Sequence, residues 1–169
     1  STRVGREIAA RCGERLIGCS LELGGKNAMI VRADADVDRA AEIAVRACFS
    51  NSGQLCISME RIYIHTEVYA AFREAFAARV LRMVLADGVG WHGVMGSLIS
   101  ERQLARVQQH VDDAASRGAR VVVGGSARPE IGPFAFEPTV LEGVTEDMIL
   151  CDEETFGPVV ALYEVHSDE

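Results

Sequence analysis

Three short segments of this chain carry residues whose types and spacing suit nucleophilic and acid–base chemistry. In the first, Leu21-Glu22-Leu23-Gly24-Gly25-Lys26, a carboxylate stands in an apolar run just before paired glycines. An unpaired buried charge is costly. Glu22 therefore reads either as a strand-edge carboxylate satisfied by Lys26 or by backbone N–H groups, or as a general base with a raised pKa facing a cleft. The second segment, Phe49-Ser50-Asn51-Ser52-Gly53-Gln54-Leu55-Cys56, ends a helix and turns through Asn-Ser-Gly before presenting a thiol. A lone cysteine is usually a small buried apolar residue, and Cys12, Cys19, Cys48 and Cys151 fall in helical or strand patterns and read that way. Cys56, on a turn beside Gly53 and Gln54, is better placed to meet a ligand, with backbone N–H groups nearby as oxyanion donors. The third segment is Asp152-Glu153-Glu154-Thr155-Phe156-Gly157-Pro158. Three consecutive carboxylates ordinarily mark a solvated loop. Here Phe156-Gly157-Pro158 pins them at the entrance to a strand, and a rigid turn offering one acid and one aromatic could grip a ribose or a planar ring.

These segments must be positioned by alternating helices and strands. Val4 to Ile17 keeps helical spacing and stops at Gly18, after which Cys19–Leu23 and Asn27–Val31 read as two short strands joined by a tight glycine link. From Asp36 a helix runs through Cys48, with Asp36 and Asp38 suited to its N-terminus. Arg61–His65 is a strand, Glu67–Leu85 a helix, and Ser100–Arg117 a third helix capped by Ser100, with Gln103 three residues on as in a capping box and Gly118 at the stop. Ala119–Val123, Pro138–Leu141 and Pro158–Val165 complete the strands. Helices of this length between strands imply βαβ units and an α/β layer fold, a mostly parallel sheet with flanking helices. The V-V-V and V-V-A-L runs fit strands buried on both faces.

The 169 residues suffice for one domain with a real core, at an ordinary 49% hydrophobic and 25% charged. A net charge of −8 argues against a nucleic-acid partner, which needs a basic face. No apolar run approaches the roughly 18–20 residues of a membrane helix, so no membrane partner is expected. Five cysteines without a C-x-x-C pair point to a reducing, cytoplasmic compartment. His65, His92, His110 and His166 lie far apart, with no metal-ligand spacing, and no metal site is expected.

Taken together, the three segments resemble the aldehyde dehydrogenase superfamily. Glu22–Lys26 matches its E-L-G-G-K motif, and Phe49, Asn51, Gly53, Gln54 and Cys56 match F-x-N-x-G-Q-x-C. Glu153–Val159 matches E-E-x-F-G-P-V, and Ser1–Gly5 looks like the end of the G-S-T-x-x-G phosphate turn. The resemblance covers essentially the whole chain. It implies the catalytic domain of an aldehyde-dehydrogenase-like fold, incomplete at both ends: residues 1–25 as the tail of a dinucleotide-binding domain and 26–169 as a catalytic (thiol) domain truncated at its C-terminal end.

The resemblance further implies oxidation of an aldehyde to a carboxylic acid with NAD or NADP, Cys56 as nucleophile and Glu22 as base. Ser1 and Gly5 would approach the pyrophosphate, Leu23 and Gly24 would line the nicotinamide site, Glu154 would bond the ribose and Phe156 would pack beside the ring. Gln103 and Arg106 fall where the family contacts cofactor ribose, although Arg106 also reads as a plain surface helix residue. The full-length protein is expected to be a homodimer or homotetramer. Leu16–Gly18, Gly96–Ser100 and Cys151–Val160 resemble the succinate-semialdehyde branch. Ser50 departs from the arginine of several such enzymes, and Ser58 from the second cysteine of some. Two other readings stay open: an inactive structural or oligomer-forming module, and a cofactor-independent thiol esterase.

Overall fold

The computed structural model describes residues 1–86 and 94–167, which leaves His92 outside the described residues. Five α-helices and five strands are assigned within them: α1 (Thr2–Glu14), β1 (Asn27–Val31), α2 (Val37–Phe49), β2 (Met59–His65), α3 (Thr66–Val80), α4 (Glu101–Ser116), β3 (Arg120–Val123), β4 (Thr139–Glu142), α5 (Ile149–Asp152) and β5 (Val159–Val165). The strands form one sheet in the order β1-β2-β5-β4-β3. Every neighbouring pair is parallel except β3 with β4. The α/β architecture with a mostly parallel sheet is thus as expected.

Alternation along the strands divides the core in two. Ile62, Ile64, Val160, Leu162 and Val140 face α2 and α3, where Phe49, Phe72 and Phe76 stack. Val159, Ala161 and Leu141 face the other way, against Val107, Val111 and Ala114 of α4 and Leu150 of α5. The V-V-A-L run in β5 is buried on both faces because β5 lies between β2 and β4 and has helices above and below it.

Three expectations need correction. Residues 19–23 are irregular rather than a strand, because no strand among the described residues pairs with them. The V-V-V run belongs to a strand that, among the described residues, pairs only with β4 at the edge of the sheet, and Arg120 and Val121 are exposed. Helix α3 ends at Val80, short of Leu85, since the chain leaves it to bridge Leu85 with Met95, and Val84 O accepts from Val94 N at 2.9 Å. Asp36 does cap α2, accepting from Arg39 N. Ser100 caps α4 by accepting from Gln103 N, but the Gln103 carboxamide turns elsewhere and the capping box is only half formed.

Candidate active site

The cysteine loop begins where α2 stops. The Ser50 hydroxyl donates back to Arg46 O at 2.6 Å, so Ser50 closes the helix and stays out of the cleft described below. Asn51, Ser52 and Gly53 then take left-handed backbone conformations, with φ of 52°, 58° and 70°. Asparagine tolerates this region and glycine adopts it freely. The Asn51 carboxamide donates to Gln54 O (3.2 Å), Gln54 Nε2 donates to Asn51 O (3.3 Å), and Gln54 Oε1 accepts from Ile99 N (2.9 Å). Gly53 is required for a second reason: a Cβ there would lie 2.1 Å from the Gly157 carbonyl oxygen. The fixed residues of this motif therefore build the turn that delivers Cys56, which is exposed.

Asn27, at the start of β1, ties the Glu22 segment to the cysteine loop. Its Nδ2 donates to Cys56 O at 2.7 Å and to Ser58 O at 3.0 Å. Ser58 itself is buried. Lys26 does not pair with Glu22. Its ammonium meets the buried Glu60 carboxylate at 2.5 Å and donates to Glu153 O at 2.9 Å. Burial holds Lys26 below its usual pKa, and the Glu60 charge opposes that shift.

The third segment is clamped through its backbone. Gln103 Nε2 donates to Thr155 O (2.9 Å) and Phe156 O (2.8 Å), and Arg106 donates to Glu154 O (2.7 Å). Glu60 accepts from Thr155 N at 2.9 Å and Phe156 N at 3.0 Å. Phe156 itself is left-handed, with φ of 53°. Under the loop, buried His110 places Nδ1 3.1 Å from Thr155 Oγ1. Its pKa is pushed down to about 4, by burial first and then by the Arg106 and Lys26 cations, so the ring is neutral near pH 7.

The loop sends Glu154 back onto the glycine pair. Gly25 N donates to Glu154 Oε1 at 3.3 Å, and a Cβ on Gly24 would fall 1.9 Å from Oε2. The two glycines thus make room for a carboxylate instead of linking two strands. Ser1, Glu22, Leu23, Gly24 and Cys56 line one open cleft of about 760 Å³, together with Gln103, Arg106, Glu154 and Phe156. Gly5 alone of the expected residues is outside it. Gly5 is buried, and a Cβ there would press on the Leu23 side chain at 2.9 Å, so it seats α1 against Leu23.

Sequence reasoning missed Glu60 and His110. Glu60 did leave a signal, since it shares its face of β2 with Ile62 and Ile64, where a carboxylate is out of pattern. Among the described residues no group of three or more His, Cys, Asp or Glu side chains could hold a metal ion, and no helix is long and apolar enough to cross a membrane.

Fold and site together define an α/β domain that presents a thiol and two carboxylates, from three separate loops, to one cleft. The profile of the aldehyde dehydrogenase family matches residues 1–169, and the chain belongs to that family. A Mycolicibacterium smegmatis protein provisionally named a succinate-semialdehyde dehydrogenase (NADP+) is 55% identical over 167 residues, 99% of this chain and 32% of that protein. "Succinate-semialdehyde dehydrogenase (NADP+) 1" of Schizosaccharomyces pombe is 41% identical over 169 residues, 100% of this chain and 34% of its own length. The crystal structure of succinate-semialdehyde dehydrogenase from Burkholderia pseudomallei superposes with a TM-score of 0.93 at 39% identity, over 99% of this chain and 34% of that one. The chain therefore spans about a third of the length of these relatives.

Proposed function

We propose that this chain supplies the thiol, the base and part of the cofactor cleft of an NADP+-dependent aldehyde dehydrogenase acting on succinate semialdehyde. One observation carries the reading: Cys56, Glu22 and Glu154, brought from distant parts of the chain, line the same cleft. The names of the similar proteins favour NADP+ over NAD+ and succinate semialdehyde over other aldehydes.

The residues present fit a nicotinamide dinucleotide. Gly24 lacks the side chain that would displace the Glu154 carboxylate from the cleft wall, and Ser1 caps α1 without a side-chain hydrogen bond of its own to the first-turn amides. Those amides favour an anion such as a pyrophosphate. Glu154 would hold the ribose, and Leu23, Gly24 and Phe156 would flank the nicotinamide. When bound, the cofactor accepts the hydride that leaves the substrate carbon.

The chemistry of the chain's own residues then follows. The Cys56 thiolate attacks the aldehyde carbon to give a thiohemiacetal, whose oxyanion faces the Cys56 backbone N–H. Loss of hydride leaves a thioester on Cys56. Glu22 takes a proton from water as that water attacks the thioester carbon, and the acid departs with return of the thiol.

We further propose that the domain boundary falls between residues 25 and 26. In support, neither core cluster contains a residue before Met29. The test is aldehyde-dependent reduction of NADP+ by the full-length protein, followed by absorbance of the reduced nicotinamide. Turnover should vanish in Cys56→Ser, and full turnover in that variant would overturn the reading. The 169-residue piece alone should oxidise aldehydes poorly or not at all.

A further inference from the structure

Glu60 does not line the cleft, yet it touches both of the segments that shape it. It is 4% exposed, on the inward face of β2, where a carboxylate without partners would be strongly disfavoured. All of its bonds go to the same neighbourhood. Both carboxylate oxygens accept from Thr155 N, at 3.0 and 2.9 Å, and one also accepts from Phe156 N at 3.0 Å. The second oxygen meets Lys26 Nζ, which in turn donates to Glu153 O.

We infer that Glu60 is a positioning residue that, with Lys26, sets the loop carrying Glu154 and Phe156 at its height over the cleft. The inference rests on the proposed cofactor role of those two residues. Lys26 follows Gly24 and Gly25, the surface on which the Glu154 carboxylate rests, so the Lys26–Glu60 pair fixes both sides of that contact relative to β2. Phe156 holds an unfavourable left-handed φ, and the loop keeps it there because Glu60 grips the Thr155 and Phe156 amides while Gln103 grips the carbonyls. Removing the Glu60 charge leaves two amides and a buried ammonium competing for fewer acceptors, and the loop relaxes to conformations in which Glu154 no longer lies on Gly24.

The test uses the full-length protein with Glu60→Gln and Glu60→Asp. Glutamine keeps the volume but turns an N–H group towards other donors, whereas aspartate keeps the charge but reaches less far. In Glu60→Gln the NADP+ dissociation constant should rise about ten-fold, as it does when only about a tenth of the molecules hold the competent loop, while KM for the aldehyde changes by less than about two-fold. Amide hydrogen exchange in residues 153–157 should accelerate, the thiol-labelling rate of Cys56 should stay at the wild-type value, and Glu60→Asp should show a weaker version of the same pattern. Wild-type NADP+ affinity with unchanged exchange in a folded Glu60→Gln protein overturns the inference. So does an equal loss of every parameter in both variants, which would mark plain misfolding. If the wild-type protein binds no NADP+, the proposed function falls. The exchange data then still decide whether Glu60 holds the loop.

Discussion

Two glycine-to-alanine substitutions separate the structural role of the cysteine loop from the binding role proposed for the cleft. At Gly53 the backbone has φ of 70°, and the added methyl would lie 2.1 Å from the Gly157 carbonyl oxygen. The left-handed conformation costs an L residue about 1–2 kcal/mol, and forcing an extra methyl into a packed contact costs about 1–3 kcal/mol more. The obstacle is backbone that leads within two residues into β5, between β2 and β4, so it has little freedom to yield. The sum is about 2–5 kcal/mol, or roughly 10 °C in the unfolding midpoint of a domain this size.

At Gly24 the nearest atoms to the methyl all belong to the Glu154 carboxylate, the closest at 1.9 Å, and the end of a flexible side chain can swing aside. Gly24→Ala should therefore cost under about 1 kcal/mol of stability. The displaced Glu154 should weaken NADP+ binding about ten- to hundred-fold, the range for one lost charge-assisted hydrogen bond. Thermal unfolding and NADP+ titration of the two full-length variants test both halves. A Gly53→Ala protein as stable as wild type, or a Gly24→Ala protein that binds NADP+ normally, would refute the corresponding half.

Other consequences are open to direct measurement. His110 has a folded-state pKa of about 4, below its ordinary 6.5, so its contribution to stability is fully present above that ordinary value and is lost as pH falls through about 4. Urea midpoints should decline across this window in wild type, more steeply than in His110→Gln. Asn27→Ala removes both bonds to the cysteine loop and should change the rate of Cys56 alkylation at fixed pH while leaving the other cysteines unaltered. Glu142, buried and outside the cleft lining, gathers Tyr69, Arg73 and Arg120. Glu142→Ala should cost about 1–3 kcal/mol in denaturant unfolding, since its arginine partners are partly open to solvent, and leave kcat per folded molecule near wild type.

Much of this architecture was legible because it is written in local periodicity. The Val37–Ala47 spacing with Asp36 ahead of it gives α2, and the uninterrupted V-V-A-L run gives a central strand. What failed depends on neighbours far along the chain. Val121–Val123 looks like a buried strand by composition, but only the sheet order reveals that, among the described residues, nothing pairs beyond β3. Leu21 and Leu23 look like strand residues, but no adjacent strand among the described residues receives them. Helix α5 is a single turn, too short for any periodic signal. Within the site, the three motifs hold Glu22, Leu23, Gly24, Cys56, Glu154 and Phe156 of the cleft, whereas Ser1, which caps α1, and α4 line the rest of it. The tie between Glu60 and a loop about 95 positions away could not be read from spacing, although a carboxylate in phase with Ile62 and Ile64 announced that some partner must exist.

In the proposed reaction Cys56 carries the substrate covalently and Glu22 releases it. This assignment is tested most directly by mixing full-length Glu22→Gln protein with NADP+ and succinate semialdehyde and taking the intact and peptide masses. The acyl thioester should accumulate on the peptide containing Cys56, with about one reduced nicotinamide formed per site before turnover stalls, as expected when deacylation is blocked. A variant that turns over at the wild-type rate would contradict the role of Glu22, and an adduct gathered on another cysteine would contradict that of Cys56.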